Sequence, residues 1–229
     1  MTSLTLHYHP LSSYCHKVLI AIDMLAVQVD LRLLNLGDPT DRAAFLALWP
    51  SGKMPLLVDQ GRAIPESSII IEHLQCHHSR SDHVLIPQPP DAALDVRLWD
   101  RVFDLHVMTP MQALTADLLK PEHQRDARSV ARAREDLGTA YALLDRHLEG
   151  RTWVSGDAFS MADCAAAPAL FYAVTYLPLS PQQVHLSLYF DRLMDHRSVT
   201  ATIVQAKPYF KFYPGRAGLA RRFFDPDGT

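Results

Sequence analysis

The feature that most constrains this chain is a single change of hydrophobic period. Before residue 79, short runs alternating with period 2 are separated by runs with helical spacing. After the Ser-, Asp- and Pro-rich stretch SRSDHVLIPQPPDAA (residues 79–93), no convincing strand pattern returns. Side chains alternate across a strand but recur every three to four residues on a helix, so the two halves need different architectures. The expectation is an α/β unit over residues 1–79, a linker over 80–91 and an all-α helical bundle over 92–229.

In the first unit, from Ser3 on, Leu4, Leu6 and Tyr8 alternate with Thr5 and His7, the mark of a half-buried strand, and Pro10 ends it. Tyr14, Val18, Ala21, Ile22 and Leu25 then recur at helical spacing, with Ser12 or Ser13 able to cap the first turn. A strand over Gln28–Leu34, a helix over Asp41–Leu48, two short strands around a turn at Gln60-Gly61 and a helix from Ser67 complete the unit. The order β-α-β-α-β-β-α implies a mixed sheet with helices on its faces. In the second unit, amphipathic runs cover Ala92–Leu119, Ala127–Leu148, Met161–Tyr176 and a stretch around Gln182–Met194. Ser160 and Asp163 have the spacing of a capping box and are read as structural. The aromatic, basic tail PYFKFYPGRAGLARRFF is read as packing over the bundle.

Composition narrows the function. With 229 residues, 48% of them hydrophobic, the chain can bury a sizeable core, and a net charge of −3 with scattered basic residues leaves no footprint for nucleic acid. The three cysteines, Cys15, Cys76 and Cys164, lie too far apart for a disulfide framework or a paired zinc site. The start MTSLTLHYHP is not basic and reaches a proline before any long apolar run, and 18 uncharged apolar residues nowhere follow one another. A soluble, unexported protein of a reducing cytoplasm is expected, with no membrane partner.

Four motifs stand in order along this pattern: HPLSSYCHKVLIAI (9–22), WPSGKMPLL (49–57), PESSIIIEHL (65–74) and FSMADCAAAP (159–168). Together they resemble the soluble glutathione transferases of the serine type, over nearly the whole chain. The resemblance implies a thioredoxin-like N-terminal domain followed by an all-helical domain, with glutathione as substrate, a small hydrophobic electrophile as second substrate, and a homodimer. The alternative readings are a glutathione-dependent isomerase, peroxidase or disulfide reductase on the same site, or a non-catalytic glutathione-fold binding protein. Trp49 departs from the family, which often has asparagine before that proline.

Glutathione's thiol, like free cysteine, titrates near pH 8.5, so only a few per cent is thiolate at neutral pH. A neutral hydroxyl donating to sulfur at a helix N-terminus stabilises the anion by about one to two pK units. Ser12, at the loop-to-helix junction, matches the catalytic serine of the resemblance and is also a plain helix cap. Ser13 is one residue out of register. Tyr8 aligns with the tyrosine of the tyrosine-type transferases, and Cys15 holds the place of a second redox cysteine that could form a mixed disulfide. The resemblance further implies that the backbone of Met54, before a cis Pro55, pairs with glutathione's cysteinyl amide groups. By the same resemblance Lys53 meets the glycyl carboxylate, Ser67 the γ-glutamyl carboxylate and Glu66 the ammonium group.

The second substrate is expected between the first loop and the helical run LWDRVFDLHVMTPMQALTADLL (98–119), lined by Leu11, Tyr14, His106, Met108 and Met111. His9, beside Pro10, is a further candidate for a place beside the sulfur. His73 and His77 stand four apart on one helical face, a spacing that can bind zinc, with Cys76 and His78 adjacent. No third ligand follows from spacing, so no metal is expected and this helix end is read as polar and exposed.

Overall fold

Strand β1 (Leu4–Tyr8) sets the two faces of the sheet. Leu4 and Leu6 turn to one side, where Leu57 and Ile64 join them under helices α1 (Ser13–Met24) and α3 (Ser67–His77). His7 turns to the other side, its ring 5.9 Å from Phe45 of α2 (Pro39–Leu48), where Leu34 and Leu56 form a smaller apolar cluster. The computed structural model describes residues 4–35 and 37–224, so Ser3, assigned above to the first strand, lies outside the described residues.

The sheet runs β2-β1-β3-β4, with β2 (Asp30–Leu33) parallel to β1, and β3 (Leu56–Asp59) and β4 (Arg62–Ile64) added antiparallel. Gln60 (φ 50°) and Gly61 (φ 83°) both lie at positive φ, as a two-residue type I′ hairpin turn requires. The expected β-α-β-α-β-β-α order is therefore realised as a thioredoxin-like domain. Strand β2 is shorter than the expected 28–34, and all four of its residues are exposed on the sheet edge.

The helical part is organised on α7 (Met161–Ala173), every residue of which is buried. Alanines at 162, 165, 166, 167 and 169 make much of its surface small, which lets α1 and α4 (Pro90–Val102) pack closely against it. Its start is fixed by Asp163: the Ser160 amide and hydroxyl each donate to Oδ2 at 2.8 Å, while Val154 N–H (3.1 Å) and Tyr189 O–H (2.6 Å) donate to Oδ1. Helices α6 (Ala127–His147) and α8 (Val184–Asp195) complete the expected bundle.

Two departures have physical causes. The run expected as one helix over 92–119 is broken: α4 passes through a π-helical segment, Phe103–Met108, into α5 (Thr109–Leu118). Pro110 cannot donate to the carbonyl one turn earlier, and a widened turn accommodates its ring. A further helix, α9 (Arg197–Ala206), forms where no helix is expected. Its sequence RSVTATIVQA is rich in β-branched residues, which disfavour helix, but its buried Val199, Thr202, Ile203 and Ala206 share one face, and packing overrides propensity.

The tail folds back over the bundle, burying Phe210 and Tyr213, and the last described element is the short helix α10 (Arg221–Phe224). Gly218 is required there: a Cβ at that position would stand 2.2 Å from the carbonyl oxygen of Thr175. No helix among the described residues is long and apolar enough to cross a membrane.

Candidate active site

The loop between β1 and α1 is held by its own backbone. Ser12 N–H donates to the His9 carbonyl (3.0 Å), Leu11 N–H to His9 Nδ1 (3.2 Å), and the His16 ring nitrogen Nε2 lies 2.6 Å from the Pro10 carbonyl oxygen. Ser12 is the N-cap of α1 in extended backbone geometry, and its Oγ accepts the Cys15 amide at 3.3 Å. A hydroxyl has one donor and two lone pairs. Capping uses a lone pair, so the Ser12 proton remains available to a group in front of the helix, where the α1 amides add partial positive charge.

Ser12 faces a cleft of about 630 Å³ at the junction of the two parts of the molecule. The segment before β3 brings Lys53, Met54 and Pro55 to it, and the Met54-Pro55 peptide bond is cis. The start of α3 brings Glu66 and Ser67. Glu66 lies at φ 68°, ψ 118°, a region that costs a non-glycine residue about 1–3 kcal/mol, and its side chain makes no capping bond. The sharp turn there aims the first amides of α3, which have no helical partner, toward the cleft.

The opposite wall comes from α4, the π segment and α5: Arg101, Asp104, Leu105, Thr109 and Gln112. Behind it lies a buried ionic cluster. Lys17 Nζ sits 2.5 Å from Asp100 Oδ1, 2.8 Å from Asp104 Oδ2 and 2.9 Å from Ser68 Oγ, and Ser68 Oγ donates to Asp100 Oδ2 at 2.7 Å. Arg101 closes the cluster on the solvent side through Asp100 (2.7 Å), Asp104 (2.5 Å) and Ser68. Burial raises the Asp104 carboxyl above its usual range despite Lys17 beside it. Burial, with Asp104 nearby, pushes the Tyr14 phenol up to about 12, so Tyr14 reaches the cleft as a neutral donor.

Of the residues expected from sequence, Ser12, Tyr14, Lys53, Met54, Pro55, Glu66 and Ser67 line this one cleft. The others do not. Ser13 is buried and donates its hydroxyl to Met108 Sδ at 3.0 Å. Tyr8 opens instead on a separate hollow with Pro10, His16 and Tyr209, and burial raises its phenol. Cys15 is fully buried, and burial pushes its thiol up to about 11. Met108 and Met111 belong to the core, Leu11 packs on its margin, and His106 lines a different cleft of about 480 Å³ against α6. The π segment accounts for the last group: a widened turn shifts the facing of every residue after it relative to a regular helix, and Leu105 and Thr109 reach the cleft in their place. His9 is turned edge-on to Tyr209, 5.7 Å between ring centroids.

Arg101 and Asp104 escape sequence reading because charged residues inside an amphipathic run ordinarily face solvent. A basic residue within the apolar face of α1, Lys17, is the one signal that an acidic partner lies across the core.

A thioredoxin-like sheet domain joined to an α-helical domain, with a polar cleft at their junction, defines a two-domain class in which the first loop and the start of α3 face the second domain. Residues 6–82 match the model of the glutathione S-transferase N-terminal domain and residues 127–196 that of the C-terminal domain. The chain belongs to the glutathione transferase family. It is 26% identical over 165 residues to the glutathione S-transferase-like protein LUC7 of a Fusarium species, covering 70% of this chain and 73% of that protein. Among solved structures, it is similar to a glutathione S-transferase of Methylobacillus flagellatus with GSH bound (29% identity, TM-score 0.78, 87% of this chain and 98% of that one). It is also similar to one of Methylobacterium radiotolerans in complex with glutathione sulfonate (26% identity, TM-score 0.75, 88% and 94%).

Proposed function

We propose that the protein binds glutathione in the Ser12 cleft and activates its thiol for conjugation to a small hydrophobic electrophile. The observation that carries this reading is the position of Ser12: a cap hydroxyl with a free proton, at the positive end of α1, in the same cleft as Met54, Glu66 and Ser67. The GSH and glutathione sulfonate held by the two bacterial relatives support the choice of ligand.

In this reading residues 1–79 form the glutathione-binding domain, 80–91 the linker and 92–229 the helical domain. The Met54 backbone pairs with the cysteinyl amide groups, Lys53 meets the glycyl carboxylate, Ser67 and the α3 amides take the γ-glutamyl carboxylate, and Glu66 takes the ammonium. The thiol proton leaves to solvent, Ser12 O–H donates to the resulting thiolate, and sulfur attacks the electrophilic carbon as the leaving group departs with its electron pair. The rate gain is ionisation and positioning of sulfur. Tyr14, Leu105 and Thr109 stand where the second substrate would lie.

The burial of Cys15 weighs against a disulfide-reductase route through its thiol. A homodimer is supported by exposed Leu94 and Leu98 of α4 and Ile69 of α3, apolar side chains suited to a second copy. Three cysteines without disulfides accord with a reducing cytoplasm.

The test is the initial rate of glutathione conjugation to an aryl halide by the native chain, Ser12→Ala, Tyr8→Phe and Cys15→Ala. Ser12→Ala is expected to lose roughly tenfold to a hundredfold in kcat/KM, with the other two within about threefold of native. Loss in Tyr8→Phe with Ser12→Ala unaffected would overturn the assignment, and glutathione binding without turnover would make the protein a carrier.

A further inference from the structure

Three side chains outside the cleft converge at the opposite end of the thioredoxin-like domain. Asp59 is the last residue of β3, His73 lies in the last two turns of α3, and His78 is that helix's C-cap. His73 Nε2 and His78 Nε2 each lie 2.8 Å from Asp59 Oδ2. One ligand atom from each of the three residues falls within 4.8 Å of both others.

Sequence spacing pairs His73 with His77, four residues on. The His77 ring is in fact nearer to His73 (4.7 Å between centroids) than the His78 ring (5.4 Å), but it is His78, where the backbone leaves helical geometry (φ −133°, ψ −6°), that reaches the same Asp59 oxygen as His73. The third group comes from β3, fourteen residues earlier, where no helical spacing could reveal it.

We propose that Asp59, His73 and His78 bind one divalent transition-metal ion of the zinc class. Two neutral imidazoles and a carboxylate are a ligand set such ions favour, and three protein ligands leave a fourth position for water. Ligand atoms around a tetrahedral zinc ion stand about 3.4 Å apart, so each 2.8 Å histidine–carboxylate contact opens by about 0.6 Å when an ion enters. The carboxylate is also incompletely used without a cation. Oδ2 takes both imidazoles, while Oδ1 is buried with no hydrogen-bond partner. The three side chains are 11–17% exposed, sheltered but reachable from solvent. His77, exposed and outside the cluster, is not a ligand.

Such an ion would tie the far end of β3 to the far end of α3. These are the two elements whose near ends carry Met54-Pro55 and Glu66-Ser67.

The test is titration of the metal-stripped full chain with zinc chloride, followed calorimetrically, and with cobalt chloride, followed by visible absorbance. One ion per chain is expected, with the intense visible bands of tetrahedral cobalt. His73→Ala, His78→Ala and Asp59→Asn should each weaken binding at least roughly tenfold, while His77→Ala stays within about twofold of native. Asp59→Asn preserves size and shape, so it decides the matter should either alanine variant fail to fold. No stoichiometric binding by the native chain, or binding undiminished in Asp59→Asn and the folded histidine variants, would overturn the proposal.

Discussion

Lys17 Nζ lies 2.5 Å from Asp100 Oδ1, and neither side chain is more than 1% exposed, so the first helix of the sheet domain is joined to the first helix of the bundle by a buried charge pair. Removing one member of such a pair leaves the other uncompensated in a low-dielectric surrounding. Without Lys17, Asp100 and Asp104 (the latter 2.8 Å from it) would keep only the half-exposed Arg101 as a counter-charge. Lys17→Met is therefore expected to lower stability by about 3–5 kcal/mol in urea unfolding. The triple replacement Lys17→Met, Asp100→Leu, Asp104→Leu should recover much of that loss. Equal loss in both would place the effect in packing instead of charge.

The buried His16 makes stability depend on pH. Burial holds its imidazole at about 4, far below the ordinary 6.5, with Nε2–H donating to the Pro10 carbonyl and the Tyr172 ring 5.6 Å away. The folded-state value is depressed, so the unfolded chain takes up the proton first on acidification. The stabilisation is complete above about pH 6.5 and is lost as pH falls toward 4, by roughly 2 to 3 kcal/mol at pH 4.5. Unfolding of native and His16→Gln at pH 7 and 4.5 checks this: the gap between them should narrow by that amount. A gap unchanged between the two pH values would contradict it.

Glu66 shows strain beside a candidate binding group. Its positive φ costs about 1–3 kcal/mol, more than the roughly 0.5–1 kcal/mol of chain entropy that glycine adds to the unfolded state. Glu66→Gly is accordingly expected to raise stability by about 1 kcal/mol while weakening glutathione binding, measured by thermal unfolding and calorimetry on the same samples. A variant both less stable and unaltered in binding would refute both halves.

What could be read from sequence followed the range of the interactions involved. The alternation of Leu4, Leu6 and Tyr8 reports a local period, and β1 forms with Leu4 and Leu6 in the core. Ser12, Glu66 and Ser67 were legible because each sits at a loop-to-helix junction, where exposed amides attract polar groups whatever the tertiary context. The wall formed by Arg101, Asp104, Leu105 and Thr109 was not, because Pro110 imposes a widened turn whose effect on facing depends on how the helix packs. Helix α9 was hidden by Val199, Thr200, Thr202, Ile203 and Val204, whose local preference for strand yields to burial against α1. Asp59 met His73 only through the packing of α3 on β3, a long-range fact with no signature in spacing.

The most direct test of the central claim is the pH titration of glutathione's thiolate absorbance, bound to the native chain and to Ser12→Ala. A hydrogen bond from Ser12 to the anion should bring the bound thiol about one to two units below its free value near 8.5. The substitution should return it close to that free value without abolishing binding. A bound thiol that titrates unshifted in the native chain, or a shift that survives Ser12→Ala, would contradict the account.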